Sequence, residues 1–267
     1  MNSNAKTYID QLTSKGEISF TAKKMQVDLK CTSKAAERAI YRLKKSKEIV
    51  GIVKGYYLIL TPKFRKMGCL PADYFIIDLM NHWKQKYYVG LLSAALYFGA
   101  AHQQAQIFQV VVDRHRRSIH CGRVRIEFIT KKIIVDSEVT QLKARSGMMN
   151  ISTPAATMMD LCLYLRQSGA WGHVATILHE LGEAVKPADL KKLLLKNKEL
   201  TWVQRLGYIL EKLGHSMLSQ ILYNYLKNKK LNIVGLAPYY PITGAPRDAK
   251  WKIAINAKWE SDLNDFS

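Results

Sequence analysis

Apolar positions at the start of the chain recur with a helical period. Ala5, Tyr8, Ile9 and Leu12 share one face and Gly16 stops the run, which predicts a first helix. After EISF, Thr21 stands where a helix cap belongs, and Ala22, Met25 and Leu29 follow at i, i+3 and i+7. Lys30-Cys31-Thr32 is a short connection, after which Thr32 or Ser33 caps a third helix running to about Lys45. Its inner stripe is Ala36, Ile40 and Leu43. Its outer face is continuous and mostly cationic: Lys34, Glu37, Arg38, Tyr41, Arg42 and Lys45. Two apolar segments, 50–53 and 56–59, then flank Lys54-Gly55, and a glycine there supplies the positive φ of a tight hairpin. Helix, helix, cationic helix and hairpin form the order of a winged helix-turn-helix.

Thr61-Pro62 ends the hairpin and KFRKMGCLP is a basic linker, so a first domain is expected over 1–66 and a second over 67–267. PADYFIIDLMNHW has helical spacing, and 87–98 is apolar on nearly all sides, which predicts a buried helix. IFQVVVD (107–113) and RVRIEFIT (123–130) are strand-like, with DRHRRSIHCG between them. VTQLKARSGMMNIST supplies one or two further short strands. From Pro154, five segments of helical spacing follow, punctuated by Gly169, Gly182, Pro187 and Gly214, before a closing loop with one or two strands. The fold class is α+β: a winged helix-turn-helix, then a larger α+β domain with a small sheet and a helical half.

Charge sharpens this picture. The 267-residue chain carries a formal net charge of +20, and residues 1–66 hold 15 Lys and Arg against 5 Asp and Glu. Such a surplus points to a polyanionic partner. A membrane is not expected, because the longest nearly uncharged run, 87–101, is too short to span one as a helix. The start, MNSNAKTYID, lacks the apolar core of a signal peptide, and the end, ESDLNDFS, has the polarity of a frayed tail. Cys31, Cys69, Cys121 and Cys162 are scattered, which suits a reducing cytoplasm and argues against a disulfide scaffold.

Catalytic patterns are scarce. There is no Walker-type phosphate loop and no GxSxG. A restriction-nuclease metal site would pair Asp113 with Glu127 and a Lys two residues later, but Ile129 stands there and the Lys is Lys131. The histidines do not cluster at ligand spacing, and His115 and His120 beside Cys121 are read as a solvated loop. No catalytic residue, metal or cofactor is expected. The DNA-binding candidates are Thr32, Ser33, Lys34, Glu37, Arg38, Tyr41, Arg42 and Lys45 on the third helix, with Lys54 and Tyr56 on the wing. Candidates for a functional surface of the second domain are Arg114, Arg116, Arg117, Arg123, Arg125 and Arg205.

The linked order of YYVGLLSAA, AHQQAQIFQV, STPAATMMDL and RLGYILE resembles the AbiEi family, the antitoxins of bacterial AbiE abortive-infection and type IV toxin–antitoxin systems. The resemblance covers about residues 18–215. Tyr87, Tyr88, Gly90, Ser93, His102, Gln103, Thr153, Pro154, Asp160, Arg205, Gly207 and Tyr208 match family-typical positions, while Tyr97-Phe98 departs from an expected Leu-His-like pair. The resemblance implies a cytoplasmic bacterial antitoxin, not an enzyme, active in phage defence. It would repress its own operon by binding inverted repeats in double-stranded promoter DNA, with Ser33–Lys45 as recognition helix and 54–57 as wing. Its C-terminal domain would counteract a nucleotidyltransferase-like toxin without a stable complex. The alternatives are a ligand-responsive winged-helix regulator and, less favoured, a nuclease-like enzyme targeted by the winged helix.

Overall fold

The computed structural model describes residues 2–100 and 107–259. It divides into two compact units, residues 2–87, 107–132 and 142–149 in the first and 88–100, 133–141 and 150–259 in the second. His102, Gln103 and the tail 260–267 lie outside the described residues.

The first unit begins with α1 (Asn2–Ser14), β1 (Ser19–Thr21), α2 (Ala22–Asp28), α3 (Ser33–Lys45), β2 (Ile49–Val53) and β3 (Tyr56–Ile59). The helices follow the apolar spacing, and Thr21 and Thr32 cap α2 and α3 by accepting from the Lys24 and Ala35 amides. β1 was not expected. It pairs antiparallel with β3, which also pairs with β2, so the order is β1-β3-β2. Phe20, the one inward residue of β1, joins Tyr8, Leu12, Met25, Ile40, Leu43 and Ile59 in a single core. Lys30, in the turn between α2 and α3, adopts φ +47°, a conformation that usually selects glycine. At the hairpin tip Gly55 takes φ +77°, as its position requires.

The chain continues through α4 (Ala72–Trp83), β4 (Tyr87–Val89), α5 (Leu91–Tyr97), β5 (Phe108–Val112), β6 (Ile119–Cys121), β7 (Val124–Thr130), β8 (Val139–Ala144) and β9 (Gly147–Ser152). The helix expected over 87–98 is instead a strand and a shorter helix, broken where Gly90 is extended and Leu91 has φ +51°. All three β4 residues are buried, and a fully buried strand has no alternation to distinguish it from a buried helix. In the first unit β5 runs parallel to β7, with Phe108 opposite Ile126 and Val112 opposite Thr130. β6 pairs antiparallel with β7 inside the segment expected to be a plain connection.

The second unit is mainly helical: α6 (Pro154–Leu163), α7 (Leu165–Ser168), α8 (Trp171–Ala184), α9 (Pro187–Lys196), α10 (Thr201–Lys212) and α11 (Ser216–Leu226). Three two-residue strands, β10 (Val234–Gly235), β11 (Arg247–Asp248) and β12 (Ile253–Ala254), close it. Helix α10 is buried from Trp202 to Leu210 because it packs against α6, α8 and α11 within this unit. No helix among the described residues is long and apolar enough to cross a membrane.

Gly207 lies on α10 against the indole of Trp251, and a Cβ there would fall 2.0 Å from a ring carbon. Trp251 cannot yield easily, since it is buried and its Nε1 donates to Glu211. Gly207→Ala should therefore destabilise the fold by about 1–3 kcal/mol through overpacking, read as a lower midpoint in thermal unfolding.

Candidate nucleic-acid interface

Helix α3 separates its residues sharply. Ala36, Ala39, Ile40 and Leu43 are buried, whereas Lys34, Glu37, Arg38, Tyr41, Arg42 and Lys45 are exposed. Lys34, Glu37, Arg38, Tyr41 and Arg42 line one shallow depression, and Tyr41 keeps 68% of its surface in solvent. Ser33 Oγ donates to Glu37 Oε1 at 3.2 Å, which orients the only acid on this face. Thr32 is committed to capping. Lys45 sits at the margin, lining a groove with Lys6 of α1. The helix therefore presents hydrogen-bond donors and cations together along one exposed face.

Of the wing candidates, Lys54 is exposed beside the Gly55 turn. Tyr56 is not available. It is 3% exposed, with its ring 4.9 Å from that of His82, because the alternation of β3 turns it inward. Sequence reasoning also missed what lies beside the hairpin. Ile52, Val53 and Lys54 border a cavity of about 640 Å³ with Trp83, His115, Arg116, Arg117, Ser118, Ile119 and His120. The cationic run HRRSIH was visible as a signal, but its meeting with the hairpin depends on β6, which the sequence pattern hid.

Arg114, Arg116, Arg117, Arg123 and Arg125 all lie in the first unit, and all but the half-buried Arg116 are exposed. Arg205 belongs to the second unit and is no surface residue. It is 7% exposed, and its guanidinium donates to the Gly235 and Cys162 carbonyls at 3.1 and 3.3 Å. The nuclease pairing also fails on geometry. Glu127 faces Gln109, so Asp113, just past the end of β5, lies four residues further along the chain, about 13 Å at the usual strand rise. Among the described residues no three His, Cys, Asp or Glu side chains gather as a metal site would require.

Polar groups inside the second unit tie its helices to strand β4 and to the closing loops. Tyr88 donates to Asp160 at 2.8 Å in full burial, and desolvation with the adjacent acid raises the phenol pKa well above its usual value. Gln204 Nε2 donates to the Asn232 and Trp251 carbonyls at 3.0 Å. Burial raises the Cys162 thiol to about 12, so it is an inert core group.

Residues 88–212 match the family model described as the AbiEi antitoxin C-terminal domain. The chain carries an AbiEi antitoxin domain. That match supports an antitoxin role. The fold also resembles the crystal structure of the RV2827C protein from Mycobacterium tuberculosis, with TM-score 0.69, 14% identity, and coverage of 93% of this chain and 90% of that one. At that identity the likeness speaks for the fold. No curated protein matches the sequence. The positions that look typical of AbiEi antitoxins are largely interior: Tyr87, Tyr88, Gly90, Ser93, Asp160, Arg205, Gly207 and Tyr208 are buried. Thr153 caps α6 by accepting from the Ala156 amide, with Pro154 at its first turn. The resemblance thus rests on residues that build the domain.

The second unit carries two testable consequences. Arg205→Met leaves two buried carbonyls without their donor and should cost about 1–3 kcal/mol for each group left unsatisfied, seen as a lower denaturant midpoint. His215, 3.0 Å from His179, has its pKa lowered by desolvation and by that neighbour. A base depressed in the folded state takes up its proton more readily when unfolded, so stability present above about pH 6.5 is lost as pH falls through the folded value. His215→Asn should flatten the melting temperature between about pH 7 and about pH 5 relative to wild type.

Proposed function

We propose that the chain is an antitoxin that represses its own operon through an N-terminal winged helix and counteracts a nucleotidyltransferase-like toxin through its C-terminal domain. The observation that carries the DNA half is the exposed cationic face of α3 with the Lys54 hairpin directly after it in the same unit. A capped helix with Arg38 and Arg42 on one side has the dimensions and donors for a major groove. Glu37 adds an acceptor suited to a cytosine amine. Lys54 on the hairpin suits the sugar-phosphate backbone. The AbiEi domain supports the antitoxin half, and the toxin class follows from the family resemblance. The domain division at 66/67 belongs to this proposal: 1–66 would bind DNA, and 67–267 would oppose the toxin.

The roles separate by the kind of loss they produce. Arg38→Ala and Arg42→Ala should each cost about 1–3 kcal/mol in binding to the duplex upstream of the gene and relax specificity at one position. Lys45→Ala should weaken binding to all sequences alike and reduce the salt slope by about 1. Fluorescence anisotropy against specific and scrambled duplexes distinguishes these effects. Wild-type binding by all three variants would remove α3 from the interface.

A further inference from the structure

The cavity beside the wing is built rather than incidental. Gln85, 6% exposed, follows the left-handed Lys84 that ends α4. Its Nε2 donates to the Arg114 carbonyl at 2.6 Å, and its Oε1 accepts from Arg116 Nε at 2.5 Å. Arg114 donates back to the Lys84 carbonyl at 3.1 Å. The Arg116 guanidinium also lies 4.4 Å from the centre of the Trp83 ring. Trp83 is itself braced edge-on by Phe128 at 5.6 Å. A buried amide and an indole thus hold in one geometry a loop whose cations would otherwise repel one another. With Nε occupied, the terminal nitrogens of Arg116 remain to meet an anion. Lys54, Arg117, His115 and His120 line the cavity alongside the neutral Ile52, Val53, Ser118 and Ile119, and no Asp or Glu is among the lining residues.

We infer that this cavity is a second seat for the backbone of double-stranded DNA, in which the 114–117 loop extends the wing and grips phosphates beyond the reach of α3. The inference rests on the DNA-binding reading above and assigns Arg116 and Arg117 to DNA rather than to the toxin-opposing surface. Duplex DNA is the occupant favoured because the cavity is continuous with Lys54 at the hairpin tip, and a charged backbone offers phosphates at regular spacing to successive cations. Gln85 and Trp83 are positioning residues.

The test uses the full chain, a duplex from upstream of its gene and a scrambled duplex of equal length, titrated over a range of salt. Arg116→Gln with Arg117→Gln should weaken both duplexes by the same factor, roughly tenfold, and reduce the salt slope by about 2. Lys54→Gln should reduce it by about 1 without touching the loop. Gln85→Met, which keeps volume and every charge, should also lower the slope, an effect that simple loss of stability would not produce. Wild-type affinity and slope in the Arg116/Arg117 double variant, with Arg38→Ala still defective, would overturn the seat and leave the α3 reading intact. Loss confined to the upstream duplex would also overturn it, since backbone contacts carry no sequence information. Failure of the unaltered chain to bind either duplex would remove the reading and the seat together.

Discussion

A chain of net charge +20 folds only if it keeps its cations in water while burying an apolar core, and that constraint organises everything else. Helix α3 meets it by separating faces, with Ala36, Ile40 and Leu43 inside and Lys34, Arg38 and Arg42 outside. The second unit does bury one cation, Arg205, and carbonyl acceptors from Gly235 and Cys162 compensate it. Elsewhere the structure holds cations in fixed positions, as the Gln85 clamp does for Arg116. Fixed cations that repel one another are costly unless an anion completes them, which is why the cationic faces of the first unit suit a polyanion.

The two compact units bear on how the proposed jobs are divided. The segment 1–66 does not stand apart: β2 touches β6, and the hairpin shares a cavity wall with the 115–120 loop. Cutting the chain at 66/67 would strip partners from both sides. The AbiEi match, over 88–212, contributes the β5–β7 pairing to the first unit and helices to the second. Separating DNA binding from toxin opposition therefore calls for point substitutions on exposed faces.

Much of the fold was legible because local periodicity and tertiary packing agreed. Helices α1 to α4 and the hairpin carry apolar stripes that survive intact, and Thr21 and Thr32 cap α2 and α3 where the spacing puts them. Legibility failed where an element was short or wholly buried. β1 has one inward residue, Phe20, and no pattern can be read from one residue. β6 buries Ile119 and Cys121 on either side of exposed His120 amid cations that look like a loop. β4 is apolar throughout and resembles a buried helix. Of the candidate site, the α3 face follows from spacing alone. The burial of Tyr56 depends on the register of β3 with β1 and β2, and that of Arg205 on carbonyls 30 and 43 residues away. Neither depends on local sequence.

The most direct measurement pairs two readouts in one bacterial strain: reporter output from the region upstream of the gene, and growth during expression of the nucleotidyltransferase-like toxin that the proposed function calls for. The full chain carrying Arg38→Ala and Arg42→Ala together is compared with the unaltered chain at equal abundance. The account predicts that the variant loses repression and still rescues growth. Retained repression, or loss of rescue together with repression, would contradict it.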